Sequence, residues 1–213
     1  DFGIQSGDVV AIFAENSPRW LIADQGVMRV GASDAVRGAS APAEELIYIL
    51  NDSKAVAIVI QNSEVWKRLS LSEGQINQLK VVVQLEGNVA EGVMSWEELL
   101  SLGESALDQP PEIIDQDHST CSQNMATVIY TSGTTGRPKG VPLTHGNLLH
   151  QMKALACVAN PPPGSAVLSV LPIWHAYERS AEYYFFSCAC SQTYTTIKNL
   201  KEDLPRVKPV VMA

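Results

Sequence analysis

A glycine- and hydroxyl-rich stretch with two basic residues is the part of the sequence whose residue types most clearly indicate chemistry. It occupies residues 131–140 and reads T-S-G-T-T-G-R-P-K-G. Glycines let the backbone approach a ligand closely, and the hydroxyls and exposed amides supply hydrogen-bond donors. Arg137 and Lys139 add two positive charges. Because backbone amides arranged around a concavity attract anions, the stretch predicts a loop that binds an oligophosphate.

The spacing of this loop differs from that of the common nucleotide-binding loops. The ATPase loop requires G-x-x-x-x-G-K-[ST], and counting from Gly133 places Pro138 where the second glycine belongs. A kinase or NTPase module is therefore disfavoured. The alternative is a flexible Gly/Ser/Thr linker with no binding role. A linker, however, requires neither the hydrophobic run 126–130 before the loop nor the helical spacing of apolar residues after it.

A second candidate site follows the next predicted strand. The apolar run 166–171 is followed at once by a proline, Trp174 and His175. Ligands of open α/β sheets bind beyond the carboxyl ends of the strands. A tryptophan–histidine pair alone is more often packing than chemistry, and the phosphate-type loop upstream is what favours a functional interpretation of His175. The adjacent Glu178 and Arg179 are expected to form a structural charge pair.

The elements that must position these residues alternate between strand and helix. Ser17 and Pro18 supply an N-cap and a first-turn proline, and Gly31 is typical of a helix end. Thr144 is the expected N-cap of the helix after the phosphate loop. This rhythm predicts an α/β fold with mostly parallel sheets and helices on both faces. Strands are predicted from the short apolar runs at 8–14, 55–60, 81–85, 126–130 and 166–171.

Composition restricts the function classes further. The chain has 213 residues, 46 % of them hydrophobic, and a net charge of −8. Non-specific nucleic-acid binding requires a basic face, so no nucleic-acid partner is predicted. No run of eighteen apolar residues occurs, so no transmembrane helix is expected. The four cysteines and four histidines show no metal-ligand spacing, and no metal ligand is assigned among the side chains.

Two motifs resemble those of a known family. T-S-G-T-T-G-R-P-K-G, followed by V-P-L-T-H-G-N-L, resembles the phosphate-binding signature of the adenylate-forming (AMP-binding) ligases, although Pro142 stands where many members carry Met. L-P-I-W-H-A-Y-E-R-S-A-E-Y is similar to the long-chain acyl branch of that superfamily. Within that branch, G-A-S-D-A-V-R-G at 31–38 and Y-T-T-I-K-N-L-K-E-D-L at 194–204 resemble plastid and cyanobacterial acyl–acyl-carrier-protein synthetases.

The resemblance implies a reaction and a set of site residues. The reaction is ATP-dependent activation of a long-chain fatty acid to acyl-adenylate, then transfer of the acyl group to the thiol of acyl carrier protein. Coenzyme A is the alternative acceptor. Lys139 would accompany the leaving pyrophosphate. Trp174 and His175 would lie beside the acyl carboxylate, where His175 orients rather than acts as a base, because a carboxylate is already ionised at neutral pH. The β- and γ-phosphates, with Mg²⁺, would be held by Thr131, Ser132, Gly133, Thr134, Thr135 and Gly136.

The resemblance also has implications for domain organisation and location. Residues 1–213 would be part of a large N-terminal AMP-binding domain, incomplete at both ends, with the small C-terminal domain absent. We therefore expect that these residues alone do not catalyse adenylation. The subgroup implies a plastid location, with the cytoplasm as the alternative, and peripheral membrane contact is compatible with a fatty-acid substrate. A truncated, non-catalytic interaction protein is the alternative from another function class.

Overall fold

The computed structural model describes residues 2–107, 121–132 and 137–212. The chain divides into two compact units, Asp1–Leu143 and Thr144–Ala213. The elements of the first unit are β1 (Val9–Phe13), α1 (Pro18–Arg29), β2 (Ser33–Arg37), α2 (Ala43–Asp52), β3 (Ala57–Ile60), α3 (Ser63–Leu69), α4 (Glu73–Ile76), β4 (Val81–Gln84), β5 (Met94–Ser95), α5 (Trp96–Leu107), β6 (Met125–Ser132) and β7 (Pro138–Thr144). None of the helices in the described ranges is long and apolar enough to cross a membrane.

The first unit is built on a seven-stranded sheet in the order β5-β4-β3-β1-β2-β6-β7. The first six strands in that order pair in parallel with their neighbours. In the centre of the sheet, Val10 of β1 faces Asp34 on one side and Ala57 on the other. Parallel pairing requires crossover connections, which the intervening helices provide. The predicted α/β class with a mostly parallel sheet is confirmed.

Helices cover both faces of this sheet. Ala11 and Phe13 of β1 belong to a buried cluster with residues of α2 and α3, such as Leu46 and Leu69. Val10, the alternate residue of β1, lies instead on an apolar groove of ≈ 440 Å³ that is lined mainly by α1 and α5. Because successive strand residues point to opposite faces, α2 and α3 lie on one face, and α1 and α5 on the other.

The local signals around α1 act as the sequence predicts. The Ser17 hydroxyl accepts a hydrogen bond from the Trp20 amide at 3.1 Å, and Pro18 is the first helical residue. Gly31 follows the helix with φ of +74°, and a Cβ there would lie 3.0 Å from Ser6 Oγ. A left-handed conformation favours glycine, so Gly31 both ends the helix and lets the chain turn towards β2.

The second unit contains a three-stranded parallel sheet in the order β10-β8-β9. A small core forms where α7 packs on this sheet, and it includes Val167, Ala181, Tyr184 and Phe185. The elements of this unit are α6 (His145–Leu155), β8 (Ala166–Ser169), α7 (Ala176–Ser187), β9 (Ser191–Tyr194), α8 (Leu200–Val207) and β10 (Val211–Met212).

The structure corrects the sequence analysis in three elements. The sequence analysis assigned no strand between the phosphate loop and the helix that follows Thr144, whereas strand β7 occupies that segment. Pro138, Gly140 and Pro142 make β7 a poor strand by propensity, but it lies at the end of the sheet order, where proline is tolerated. The stretch S-W-E-E-L-L at 95–100 predicted only a short helix, whereas helix α5 continues to Leu107. Strand β8 ends at Ser169, so the predicted run 166–171 was too long by two residues.

Candidate functional site

A buried tyrosine holds β6, the strand that leads into the phosphate loop, in place. Tyr130 of β6 is only 2 % exposed, and its hydroxyl donates a hydrogen bond to Asp52 Oδ2 at 2.8 Å, at the end of α2. Burial, followed by the hydrogen bond to Asp52, raises the pKa of Tyr130 well above its usual value. Tyr130 therefore stays a neutral donor at physiological pH and ties β6 to α2.

Strand β7, which leaves the phosphate loop, lies close to β6 at a glycine. A Cβ placed on Gly140 would lie 3.0 Å from Val128 Cγ1 and 3.1 Å from Tyr130 Cζ. These distances are shorter than a normal van der Waals contact, so a side chain at this point would force β7 or the neighbouring side chains of β6 to shift. Gly140 thereby permits the close approach of the two strands next to Lys139.

The residues predicted to hold phosphate lie at the ends of these two strands. Thr131 is exposed near the end of β6, and Ser132 is the last residue of that strand. Lys139 is exposed on β7, and Arg137 is exposed just before it. Within the described residues, neither cation forms an ion pair. The remaining predicted phosphate ligands, Gly133, Thr134, Thr135 and Gly136, lie outside the described residues.

The donor set that flanks the loop fits an oligophosphate. It combines an exposed hydroxyl on Thr131 with two exposed cations, and no carboxylate of the described residues neutralises either cation. Such a surface favours a multiply charged anion. Within the described residues there is no group of three or more potential metal ligands. Mg²⁺ retains waters and is commonly bound through substrate phosphates, so this observation is compatible with a metal that arrives with the nucleotide.

The helix after β7 begins where the sequence predicts. The Thr144 side chain accepts a hydrogen bond from the Asn147 amide at 3.2 Å, and Asn147 Oδ1 accepts one from the Thr144 amide at 2.9 Å. This reciprocal capping box satisfies two backbone donors at the start of α6. Thr144 as the N-cap of α6 is confirmed.

The second candidate site is a corner between β8 and α7. Ile173 is fully buried, Trp174 is half-buried and His175 is exposed. The Trp174 and His175 rings lie side by side, with centroids 6.4 Å apart and planes tilted by 42°. The His175 amide donates to the Pro172 carbonyl at 3.0 Å. The His175 side chain makes no capping bond to α7, so the imidazole is not used in holding the helix.

Helix α7 buries polar side chains that the sequence analysis treated as a charge pair or left unassigned. The Ser169 hydroxyl donates to the Glu178 carboxyl, and burial raises the pKa of Glu178 although this bond opposes the shift. Arg179 Nε donates to the Tyr183 hydroxyl at 2.7 Å. The structure thus gives Glu178 and Arg179 separate partners. The spacing of Ser169, at a strand end, and Glu178, in the first turn of the next helix, was the signal available in the sequence.

The residues that flank the loop lie in the first unit, and the Trp174–His175 corner lies in the second. Comparison with known proteins identifies the family of the chain. A family model described as "AMP-binding enzyme" matches residues 1–213. The chain therefore belongs to the AMP-binding enzyme family, as its two motifs predicted.

Relatives within the family include both types of long-chain ligase. The chain is 41 % identical over 97 % of its length to a chloroplastic long-chain-fatty-acid–[acyl-carrier-protein] ligase, AEE15, from Arabidopsis thaliana, and covers 30 % of that protein. It is 33 % identical over 99 % of its length to the long-chain-fatty-acid–CoA ligase FadD15 from Mycobacterium tuberculosis, and covers 35 % of it. The chain thus spans about a third of the length of these curated relatives.

Solved structures share the fold at low sequence identity. The N-terminal domain of FACL13 from Mycobacterium tuberculosis matches with a TM-score of 0.76 and 19 % identity, over 99 % of this chain and 50 % of that one. The anthranilate CoA ligase AuaEII, in complex with anthranoyl-AMP, matches with a TM-score of 0.80 and 18 % identity, over 99 % of this chain and 40 % of that one. These matches confirm the fold class.

Proposed function

We propose that the protein containing this chain activates a long-chain fatty acid with ATP and passes the acyl group to the thiol of acyl carrier protein. Coenzyme A is the alternative acceptor. The observation that carries the proposal is the 41 % identity, over 97 % of the chain, to the plant acyl-carrier-protein ligase. The family match over residues 1–213 and the cationic flanks of the loop support it. Coenzyme A is kept as the alternative because a long-chain-fatty-acid–CoA ligase is 33 % identical to the chain.

The proposed nucleotide site is the loop between β6 and β7. Hydroxyls and amides of residues 131–136 hold the β- and γ-phosphates, namely those of Thr131, Ser132, Gly133, Thr134, Thr135 and Gly136. Lys139 lies on β7 and stabilises the negative charge of the departing pyrophosphate. Mg²⁺ supplies charge neutralisation on the phosphate oxygens when it is bound. The rigid anchoring of β6 by Tyr130 and the close packing at Gly140 keep Lys139 and Thr131 at fixed positions on adjacent strands.

The proposed chemistry requires little from the protein besides positioning. A carboxylate oxygen attacks the α-phosphorus, an acyl–phosphate bond forms, and the bond to pyrophosphate breaks. Catalysis of such displacements consists mainly of alignment and charge stabilisation. Trp174 and His175 lie beside the acyl carboxylate in this scheme. His175 acts as an orienting hydrogen-bond donor, since the nucleophile is already ionised.

The reaction is tested by pyrophosphate exchange into ATP. The longer protein that contains this chain is expected to exchange labelled pyrophosphate into ATP only when palmitate is present. Lys139→Gln and His175→Ala should each lower kcat at least about tenfold, with Lys67→Gln, an exposed lysine of α3, as the control. Parallel reactions with acyl carrier protein and with coenzyme A identify the acceptor. No palmitate-dependent exchange would overturn the proposal.

Two further parts of the proposal concern the extent and the location of the chain. Residues 1–213 form part of a large N-terminal domain and do not complete adenylation alone, which is supported by their coverage of only about a third of the relatives. Exchange activity of the isolated residues would contradict this. A plastid location is supported by the chloroplastic relatives, and an import assay with isolated chloroplasts tests it against the cytoplasmic alternative. Vesicle co-sedimentation tests peripheral membrane contact.

A further inference from the structure

The Trp174–His175 corner is held in the second unit by a buried neighbouring side chain and by backbone hydrogen bonds. Ile173 inserts into the interior and is fully buried. The His175 amide bonds back to the Pro172 carbonyl at 3.0 Å, and the His175 carbonyl accepts a hydrogen bond from the Arg179 amide at 3.2 Å. Because the His175 carbonyl accepts a bond from within α7, any displacement of the start of the helix moves the histidine as well.

A further attachment joins the two elements on either side of the corner. Ser169 is the last residue of β8, Glu178 lies in the first turn of α7, and each is only 1 % exposed. The Ser169 hydroxyl donates to Glu178 Oε1. This side-chain bond fixes the distance between the strand end and the helix start, and the six-residue segment 170–175 must span that distance.

The arrangement is energetically unusual for a purely structural bond. Glu178 Oε2 is buried and has no hydrogen-bond partner among the described residues. Burying an incompletely paired carboxyl destabilises a fold, and an apolar residue at this position would avoid the penalty. The placement of Glu178 distinguishes it from the other buried carboxyl of α7, because only Glu178 is bonded to the last residue of β8 from the first turn of the helix. This placement points to the corner that lies between the two elements.

We propose that Ser169 and Glu178 are positioning residues that hold Trp174 and His175 in the orientation required for the acyl substrate. The inference rests on the proposed function. A displacement of about 1 Å at a reacting centre lowers a rate by up to ~100-fold. The hydrogen bond, rather than a charge on Glu178, performs this role, because the corner needs a fixed distance between β8 and α7.

The same helix supplies a matched control. The Tyr194 hydroxyl donates to the Glu182 carboxyl, and Glu182 is also only 1 % exposed. This is a second, partly buried bond from a hydroxyl to a carboxyl of α7, but it joins β9 to the middle of the helix, one turn further from the corner. Tyr194→Phe therefore removes a similar bond without releasing residues 170–175.

The first test compares kinetics in the longer protein. Ser169→Ala and Glu178→Ala are expected to lower kcat for palmitate-dependent exchange about 10- to 100-fold, with KM for ATP changed less than about twofold. Glu178→Gln retains an acceptor for Ser169 and should remain within about threefold of wild type. Tyr194→Phe should have wild-type kcat. Wild-type kcat in Ser169→Ala, or equal losses in Ser169→Ala and Tyr194→Phe, would overturn the proposal.

The second test does not depend on catalysis. Amide hydrogen exchange of residues 170–177 should be about tenfold faster in Ser169→Ala and in Glu178→Ala, but unchanged in Tyr194→Phe, because only the first two release the corner. Equal amide hydrogen exchange of residues 170–177 in all variants would overturn the inference. A wild-type protein without exchange of pyrophosphate, but with the expected amide-exchange pattern, would contradict the proposed function and leave the positioning bond supported.

Discussion

At the scale of single residues, Glu178 makes folding stability depend on pH. Burial raises the pKa of Glu178 above its ordinary value of 4.5. The folded state therefore binds this proton more tightly than the unfolded state, and stability falls as the pH rises from 4.5 towards the raised pKa. At lower pH the carboxyl is protonated in both states, so the penalty is absent.

Glu178→Gln is the variant that isolates this effect. The amide does not ionise, so the free energy of unfolding of the variant, relative to wild type, should increase as the pH rises from 4 to 8. The change is about 1.4 kcal/mol for each unit by which the pKa is raised. Chemical denaturation across this pH range measures it. A difference independent of pH would contradict the prediction.

Tyr130 provides a second test at this scale. Tyr130→Phe removes the hydrogen bond to Asp52 at 2.8 Å while preserving the packed ring. Because Asp52 is exposed and regains water, the expected loss in the free energy of unfolding is about 1 kcal/mol.

Tyr48→Phe is the matched control for Tyr130→Phe. The Tyr48 hydroxyl donates to the other oxygen of Asp52 at the longer distance of 3.3 Å, so its removal should have less effect. Thermal unfolding of both variants measures the difference. A Tyr48→Phe loss equal to or larger than that of Tyr130→Phe would contradict the assignment of Tyr130 as the anchor of β6.

At the scale of elements, the packing of β7 on β6 depends on Gly140. Gly140→Ala places a methyl group 3.0 Å from Val128 Cγ1 and 3.1 Å from the Tyr130 ring, and both neighbours are held in the sheet. Overpacking of this kind lowers stability by about 1–3 kcal/mol.

A glycine of α5 serves as the control for Gly140. A Cβ on Gly103 would meet nothing within 4 Å, and alanine in a helix is favoured over glycine by about 0.5–1 kcal/mol. Gly103→Ala should therefore raise the melting temperature, whereas Gly140→Ala lowers it. Changes of the same sign would show that the contact with Val128 and Tyr130 is relieved by a shift of β7.

The elements also show which parts of the molecule the sequence could predict. Signals that act within one turn were sufficient: Ser17 and Thr144 cap helices, and Gly31 ends one, as expected. Strand β7 was missed because prolines and a glycine suppress the local strand signal, and the pairing of β7 with β6 overrides it. The motif residues identified both candidate sites, but not the Ser169–Glu178 bond, because polar residues of a helix are usually at the surface.

At the scale of the whole molecule, one lysine connects parts of the first unit that are far apart in sequence. Lys80 Nζ lies 2.7 Å from Asp8 Oδ2 and 2.6 Å from the Gly3 carbonyl oxygen. The hydrogen bond from Lys80, then that from the Gln5 amide, lowers the pKa of Asp8 below its ordinary value of 3.8. The segment before β1 is thereby tied to the start of β4.

Lys80→Met should detach this segment. Because both side chains are partly exposed, the expected loss in the free energy of unfolding at pH 7 is about 0.5–1 kcal/mol. The pKa of Asp8 is lowered, so this stabilisation is present above pH 3.8 and is lost as the pH falls through the lowered pKa. Denaturation at pH 7 and at pH 2.5 measures the change, with Lys67→Met as the control. A loss of the same size at both pH values would contradict a contribution from the ion pair.

Strand β7 bears on the solubility of the chain. It is the last strand in its sheet, and an open edge is a template for pairing with another copy. Pro138 and Pro142 are separated by an even number of residues, so their missing N–H groups fall on the same side of the strand. Because β7 still pairs with β6, the side of β7 that lacks these N–H groups faces away from β6. Pro142→Val would restore a donor there, and light scattering of concentrated protein should then detect fibrillar or amorphous aggregates that the natural proline suppresses.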